Sequence, residues 1–191
     1  MHCTEHVHVL QLDIQGTPQA WISLEQAALH VATEAVAWVE GVSPLATLRG
    51  GFNVARARQS TIDVHPIIAL HGASKVNLFD VVPVLGKAKL FRRDRMTCAY
   101  CGERFPEREL QCEHIVPESR GGKSTWMNLV AACGPCNSRK ADRTPDEARM
   151  PLVYLPYLPS RFEDSLLEGR NIRADVHEWL AARLPKGSRL S

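Results

Sequence analysis

The 191-residue chain carries 45% apolar and 23% charged residues and a net charge of +2. That composition supports a folded core and excludes a disordered acidic or basic tail protein. Aromatic residues make up only 6% and do not alternate with basic ones, which argues against a stacking platform for single strands. The first twenty residues carry His, Glu and Asp and no continuous apolar run, and nothing approaches a spanning helix. The expectation is a cytoplasmic protein with no membrane partner.

In chain order, Val7–Ile14 alternates in part and reads as a strand. Gly16-Thr17-Pro18 is a turn, and Ala20–Ile22 starts a second strand. Ser23 with Gln26 forms a capping-box pattern. Leu24, Ala27, Ala28, Val31, Ala35 and Trp38 recur at helical spacing, so a helix is expected from Ser23 until Gly41 stops it. Residues 43–60 carry no decisive period. Ile62–Leu70 is expected to be extended, with Pro66 at an edge or bend, and 71–90 to be a connection.

Lys89–Arg95 suits a short basic helix, Glu109–Val116 a strand, and Pro117–Ser124 a loop. Thr125–Ala131 reads as a turn or short helix, and Asn137–Ala141 opens another helix. Thr144-Pro145-Asp146-Glu147 is a helix start with a capping box and proline at the first position. Residues 150–160 are proline-rich and extended, and Ala174–Leu184 is a last amphipathic helix. The expected organisation is an α+β protein: an N-terminal strand and helix extension (1–86), a central domain (87–150), and a C-terminal extended segment with its helix (151–191).

The central region carries the chemistry. Cys98-x-x-Cys101 and Cys133-x-x-Cys136 are separated by 31 residues. Gly102 follows the first pair, and Gly134-Pro135 lies inside the second. Two such turns supply a closed tetrahedral shell of four thiolates, which suits structural zinc. A redox motif would need one pair only. Cys3 and Cys112 are unpaired by spacing; Cys112 is expected to be an ordinary strand thiol, and the His2, His6 and His8 cluster to belong to a frayed terminus.

Between the pairs, "LQCEHIVPESRGG" places Glu113 beside His114, the one histidine in the cysteine-bounded region. Asn128 lies in "TWMNLV", and Asn137 directly follows Cys136 in "CGPCNSRK". Together these motifs resemble the HNH endonuclease family, with its ββα-metal fold, over about residues 90–148.

The resemblance implies a general-base role for His114. It implies that Glu113 and Asn137 bind a catalytic divalent ion, and that Asn128 braces the loop and orients the histidine. Two departures matter: Glu stands where the family more often has Asp, and Asn137 stands where its name has His. Both ligands then offer oxygen, which favours Mg2+ or Mn2+.

Physical chemistry supports the same roles. Phosphodiester hydrolysis needs an activated water, a base working near neutral pH and a cation on the developing charge. Adjacent strand residues point to opposite faces, so Glu113 and His114 share a site only if the strand ends or twists there. Residues 87–140 hold eleven Lys or Arg against six Asp or Glu. Within this basic excess Arg120, Lys123, Arg139 and Lys140 are candidate phosphate contacts to DNA, expected to be double-stranded. The alternative is a catalytically inactive zinc module that binds nucleic acid or a protein. A homodimer stays open.

Overall fold

Val9, Leu10 and Leu12 are fully buried, as are Ile68 and Ala69. Strands so apolar on consecutive positions belong inside a sheet covered on both faces. The computed structural model describes residues 8–72 and 81–190, and places these two strands at the centre of a four-stranded sheet. Its order is β2 (Pro18–Ser23), β1 (His8–Leu12), β6 (Ile67–Leu70), β3 (Val36–Glu40). The central β1–β6 pair is parallel; the two outer pairs are antiparallel. Helix α1 (Leu24–Ala32) is capped by Ser23 and Gln26 reciprocally, and packs Ala27 against Val9, Ile22 and Ile68.

The helix expected to run to Gly41 stops at Ala32 instead. Thr33 turns its hydroxyl onto the Leu29 carbonyl, and Glu34 adopts φ 57°. A left-handed residue ends a helix whether or not it is glycine, and no glycine marks this one. Val36-Ala37-Trp38-Val39 then reads as a strand, which suits its β-branched and aromatic content. Trp38 donates its indole N–H to the Ile14 carbonyl at 3.0 Å instead of lining a helix.

The stretch 43–60, without a clear period in sequence, forms most of an antiparallel hairpin: β4 (Ala46–Asn53) and β5 (Arg58–Val64). Pro66 bends the chain between β5 and β6, as expected of a residue that cannot donate to a ladder. The His2/His6 part of the histidine cluster, and residues 73–80 of the expected connection, lie outside the described residues.

The chain divides into two compact units, 1–81 with 169–183, and 82–168 with 184–191. Helix α6 (Ala174–Ala181), with Val176 and Leu180 buried, belongs to the first.

The second unit begins with α2 (Lys87–Arg93), followed by the hairpin β7 (Leu110–His114) and β8 (Leu129–Cys133). It continues with α3 (Gly134–Lys140), α4 (Pro145–Ala148) and α5 (Arg161–Glu168). Its core joins Leu90 and Phe91 of α2 to Leu110, Trp126, Leu129 and Ala131. Helix α5 was not anticipated, although its signal is present. Ser160 accepts from the Glu163 amide, and Glu163 accepts from the Ser160 amide at 2.7 Å, a capping box directly after Pro159. Among the described residues no helix is long and apolar enough to cross a membrane.

Candidate nuclease site and metal centre

Two turns bring the cysteines together. In the first, Cys98 N–H donates to the Glu103 carbonyl and Gly102 N–H to the Cys98 carbonyl, with Gly102 at φ 76°. A positive φ is what glycine supplies at no steric cost. In the second, Cys133 ends β8 and Cys136 sits in the first turn of α3. Ala99 N–H donates to the Ala131 carbonyl at 2.8 Å, tying the first turn to the strand that leads into the second.

The four Sγ atoms of Cys98, Cys101, Cys133 and Cys136 lie within 4.8 Å of one another. Zinc–thiolate bonds of ~2.3 Å in a tetrahedron set sulfurs roughly 3.8 Å apart, so the cluster matches the donor set of a metal ion. Burial pushes the Cys101 and Cys136 thiols up, and neighbouring sulfurs push them further. Burial also opposes ionisation of Cys98, but hydrogen bonds from the Cys101, Cys133 and Tyr100 backbone outweigh it and shift that thiol down. Several thiolates around one point repel unless a cation neutralises them.

Beyond the cysteines, β7, β8 and α3 form a hairpin followed by a helix packed on it. Glu113 pairs with Val130 and His114 with Leu129 across the hairpin. Gln111 and Glu113 share one face of β7, two positions apart. Asn137 and Lys140, three apart on α3, meet them: Asn137 Nδ2 donates to Gln111 Oε1 at 2.6 Å, and Lys140 Nζ to Glu113 Oε1 at 2.6 Å. Lys140 also donates to the His114 carbonyl at 2.8 Å.

The expected phosphate contact at Lys140 is therefore corrected. Its side chain is fully buried and its ammonium is held by Glu113. A lysine taken out of water keeps its charge only beside a partner, and Glu113 is that partner.

β7 ends at His114, and the two neighbours diverge as alternation requires. The imidazole faces the loop: Nε2 lies 3.0 Å from Ser124 Oγ and 3.3 Å from Glu118 Oε1. Asn128 clamps that loop. Its Oδ1 accepts from Val116 N–H at 2.9 Å, and its Nδ2 donates to the Val116 and Lys123 carbonyls at 3.1 and 3.0 Å. Gly122 is required below it, because a Cβ there would fall 1.8 Å from the Val116 carbonyl oxygen.

Arg120 is partly exposed and reaches both carboxylate oxygens of Glu147, at 2.7 and 2.6 Å. The hydrogen bond from Thr144 N–H and the Arg120 guanidinium hold the Glu147 carboxyl below its ordinary range. Lys123 and Arg139 are exposed.

Sequence reasoning missed two participants, Gln111 and Tyr100, and gave Lys140 a different role. Gln111 and Lys140 were legible only as a strand partner two before Glu113 and a helix partner three after Asn137. Tyr100, between the first two cysteines, buries a hydroxyl with no hydrogen-bond partner among the described residues; its ionisation is opposed by burial and then by the charge of Glu113.

A hairpin and helix stapled by four cysteines, with His114 ending the first strand, is a ββα-metal arrangement. Residues 98–153 match the family model for HNH endonuclease. The chain is also similar to two CRISPR-associated endonucleases Cas9. That of Campylobacter jejuni is 35% identical over 68 residues, 32% of this chain and 7% of that protein. That of Corynebacterium diphtheriae is 38% identical over 52 residues, 27% of this chain and 5% of that protein. The chain thus spans under a tenth of the length of these relatives.

Proposed function

We propose that the protein is a metal-dependent endonuclease that hydrolyses phosphodiester bonds of double-stranded DNA. The observation that best supports this is the coincidence of the HNH match with a histidine presented at a strand end over a loop braced by asparagine. The cysteine cluster is assigned to structural zinc, closed by four sulfurs and hence unreactive.

His114 is the general base. With Nε2–H donating to Glu118 or Ser124, Nδ1 carries the lone pair that takes a proton from water. The water oxygen bonds to phosphorus as the bond to the leaving sugar oxygen breaks. Asn128 acts through the loop, holding Val116 and Lys123 so that the histidine keeps its orientation. Glu113 and Asn137 would hold the catalytic Mg2+ or Mn2+, the role the resemblance to the family implies for them. When bound, that ion would neutralise charge developing on the phosphate. Lys123 and Arg139, and Arg120 once it leaves Glu147, are the proposed phosphate contacts.

One observation favours a second reading, a non-catalytic zinc module: the Lys140 ammonium already occupies the carboxylate expected to bind the divalent ion. Plasmid nicking with Mg2+ or Mn2+, against a control with no divalent ion added, separates the two. The nuclease reading expects ion-dependent conversion of supercoiled to open-circular plasmid. No conversion with either ion, by protein shown to retain its zinc, would leave the second reading.

A further inference from the structure

The β4–β5 hairpin lies in the first unit, outside the HNH match. Residues 46–62 contain Arg49, Arg56 and Arg58 and no acidic residue. The first acid, Asp63, accepts from the Thr47 hydroxyl at the base of the hairpin. Arg49 and Arg58 are both exposed, and neither joins an ion pair among the described residues.

The ribbon is also built to stand away from the core. Leu48 and Ile62 face the hydrophobic cluster, and beyond them the described side chains of both strands are exposed. At Gly50-Gly51 the register shifts by a bulge, which twists the outer half. Gln59 Nε2 donates to the Gly50 carbonyl and Ser60 Oγ to the Gly51 carbonyl, fixing the bulge. A Cβ on Gly50 would meet Ser60 Oγ at 2.5 Å, so a larger residue there would make the Ser60 hydroxyl turn away. Arg49 pairs with Thr61 and Arg58 lies two positions before Ser60, so alternation sends the two guanidinium groups to opposite faces. Near the tip Phe52 is 62% exposed and Val54 85%.

We infer that this hairpin is a duplex-DNA-binding arm that contacts the phosphate backbone through Arg49 and Arg58. A two-stranded ribbon fits the major groove, about 12 Å wide, and charges on both faces would each meet a phosphate ridge. Arginines also discourage edge-to-edge strand pairing, but that needs no acid-free stretch of seventeen residues. Two apolar side chains are too few for a membrane surface, and one aromatic is too few for single strands. The choice of DNA rests on the nuclease reading; the phosphate contact rests on the hairpin alone.

The test uses the full chain with His114→Ala, so that DNA stays intact, and a fluorescent duplex of about 20 base pairs and arbitrary sequence, long enough for two helical turns. Affinity is measured from about 50 to 200 mM salt for Arg49→Gln/Arg58→Gln, for Arg49→Lys/Arg58→Lys and for the parent. Two lost phosphate contacts should reduce the slope of log affinity against log salt by roughly 1.8. The advantage of the parent over the Gln pair should then shrink roughly tenfold across that range. The Lys pair should keep the parental slope, and melting temperatures should agree because both positions are exposed. An unchanged slope in the Gln pair, an equal loss in the Lys pair, or no duplex binding by the parent at the lowest salt would each overturn the inference. Plasmid nicking by the protein with His114 intact reports separately on the nuclease reading.

Discussion

Lys140 makes two hydrogen bonds with its buried ammonium, one to Glu113 and one to the His114 carbonyl. Breaking a buried pair by removing one partner costs roughly 3–5 kcal/mol, because the other charge stays behind. Lys140→Met should therefore lower the melting temperature clearly, and added Mg2+ should raise it more in the variant than in the parent. Equal stability of the two proteins would show that the pair carries no weight. His114 stands differently. It is partly exposed, and among the described residues the polar partners of its ring are the loop side chains of Ser124 and Glu118, so His114→Ala should retain fold, zinc and most DNA affinity. Cleavage should fall by roughly 10²-fold or more, the usual worth of a positioned base. Zinc content, DNA binding and cleavage on one preparation decide this: loss of zinc would make the histidine structural, and full activity would remove the base from the mechanism.

Among elements, α2 sets the frame for the hairpin through one residue. Arg93 is fully buried; it pairs with Asp94 and donates to the carbonyls of Trp126, Leu129 and Tyr157. Asp94 in turn accepts from Ala131 N–H at 2.8 Å. Trp126 and Leu129 flank Asn128, so this knot fixes the turn from which the loop brace projects. Arg93→Lys cannot reproduce a planar fork with several donors and should cost roughly 3 kcal/mol or more, read by denaturant melts. A stability within about 1 kcal/mol of the parent would contradict that role. The same knot shows where sequence stops being legible. The turns at Cys98, Cys133 and Thr144 announce themselves through Cys, Gly and Pro at fixed local offsets. Arg93 is adjacent to its partner Asp94, yet its other acceptors are main-chain carbonyls 33 to 64 residues away, and no local pattern encodes those. For the same reason Lys140 read as surface charge: nothing near it in sequence says that Glu113 buries it. The end of α1 at Ala32 is not legible because the left-handed turn at Glu34 is made without glycine.

For the whole molecule, the metal centre joins the ends of the hairpin and helix to the turn at Cys98, so its loss should unfold more than the knuckles. Cys133→Ser, or prolonged chelation, should release about one zinc per chain and lower the stability of the region around 95–142. Burial raises the Cys101 and Cys136 thiols from their ordinary value, so an arriving ion has to displace protons to bind them. Lower pH therefore works against binding. Apparent zinc affinity should fall by roughly tenfold or more per pH unit, measured by competition with a chromophoric chelator between about pH 8 and pH 6.5. Affinity independent of pH would exclude thiols as the ligands.

The interleaving of the two units along the chain bears on how the protein is made. The first unit takes residues 169–183 and the second takes 184–191, where Arg189 lies over the Tyr154 ring and Ser188 bonds to Glu163. A ribosome releasing this chain from the N-terminus therefore exposes β1, β6 and α1 long before α6 exists to complete their unit. The first unit lacks α6 until residues 169–183 have left the exit tunnel, and the second lacks Ser188 and Arg189 until 184–191 follow. The two units are thus completed almost together, one directly after the other, rather than in the N-terminal-first order usual for domains in series. A chain stopped after residue 168 should hold β1 and β6 without α6 and be degraded by protease well before the full chain.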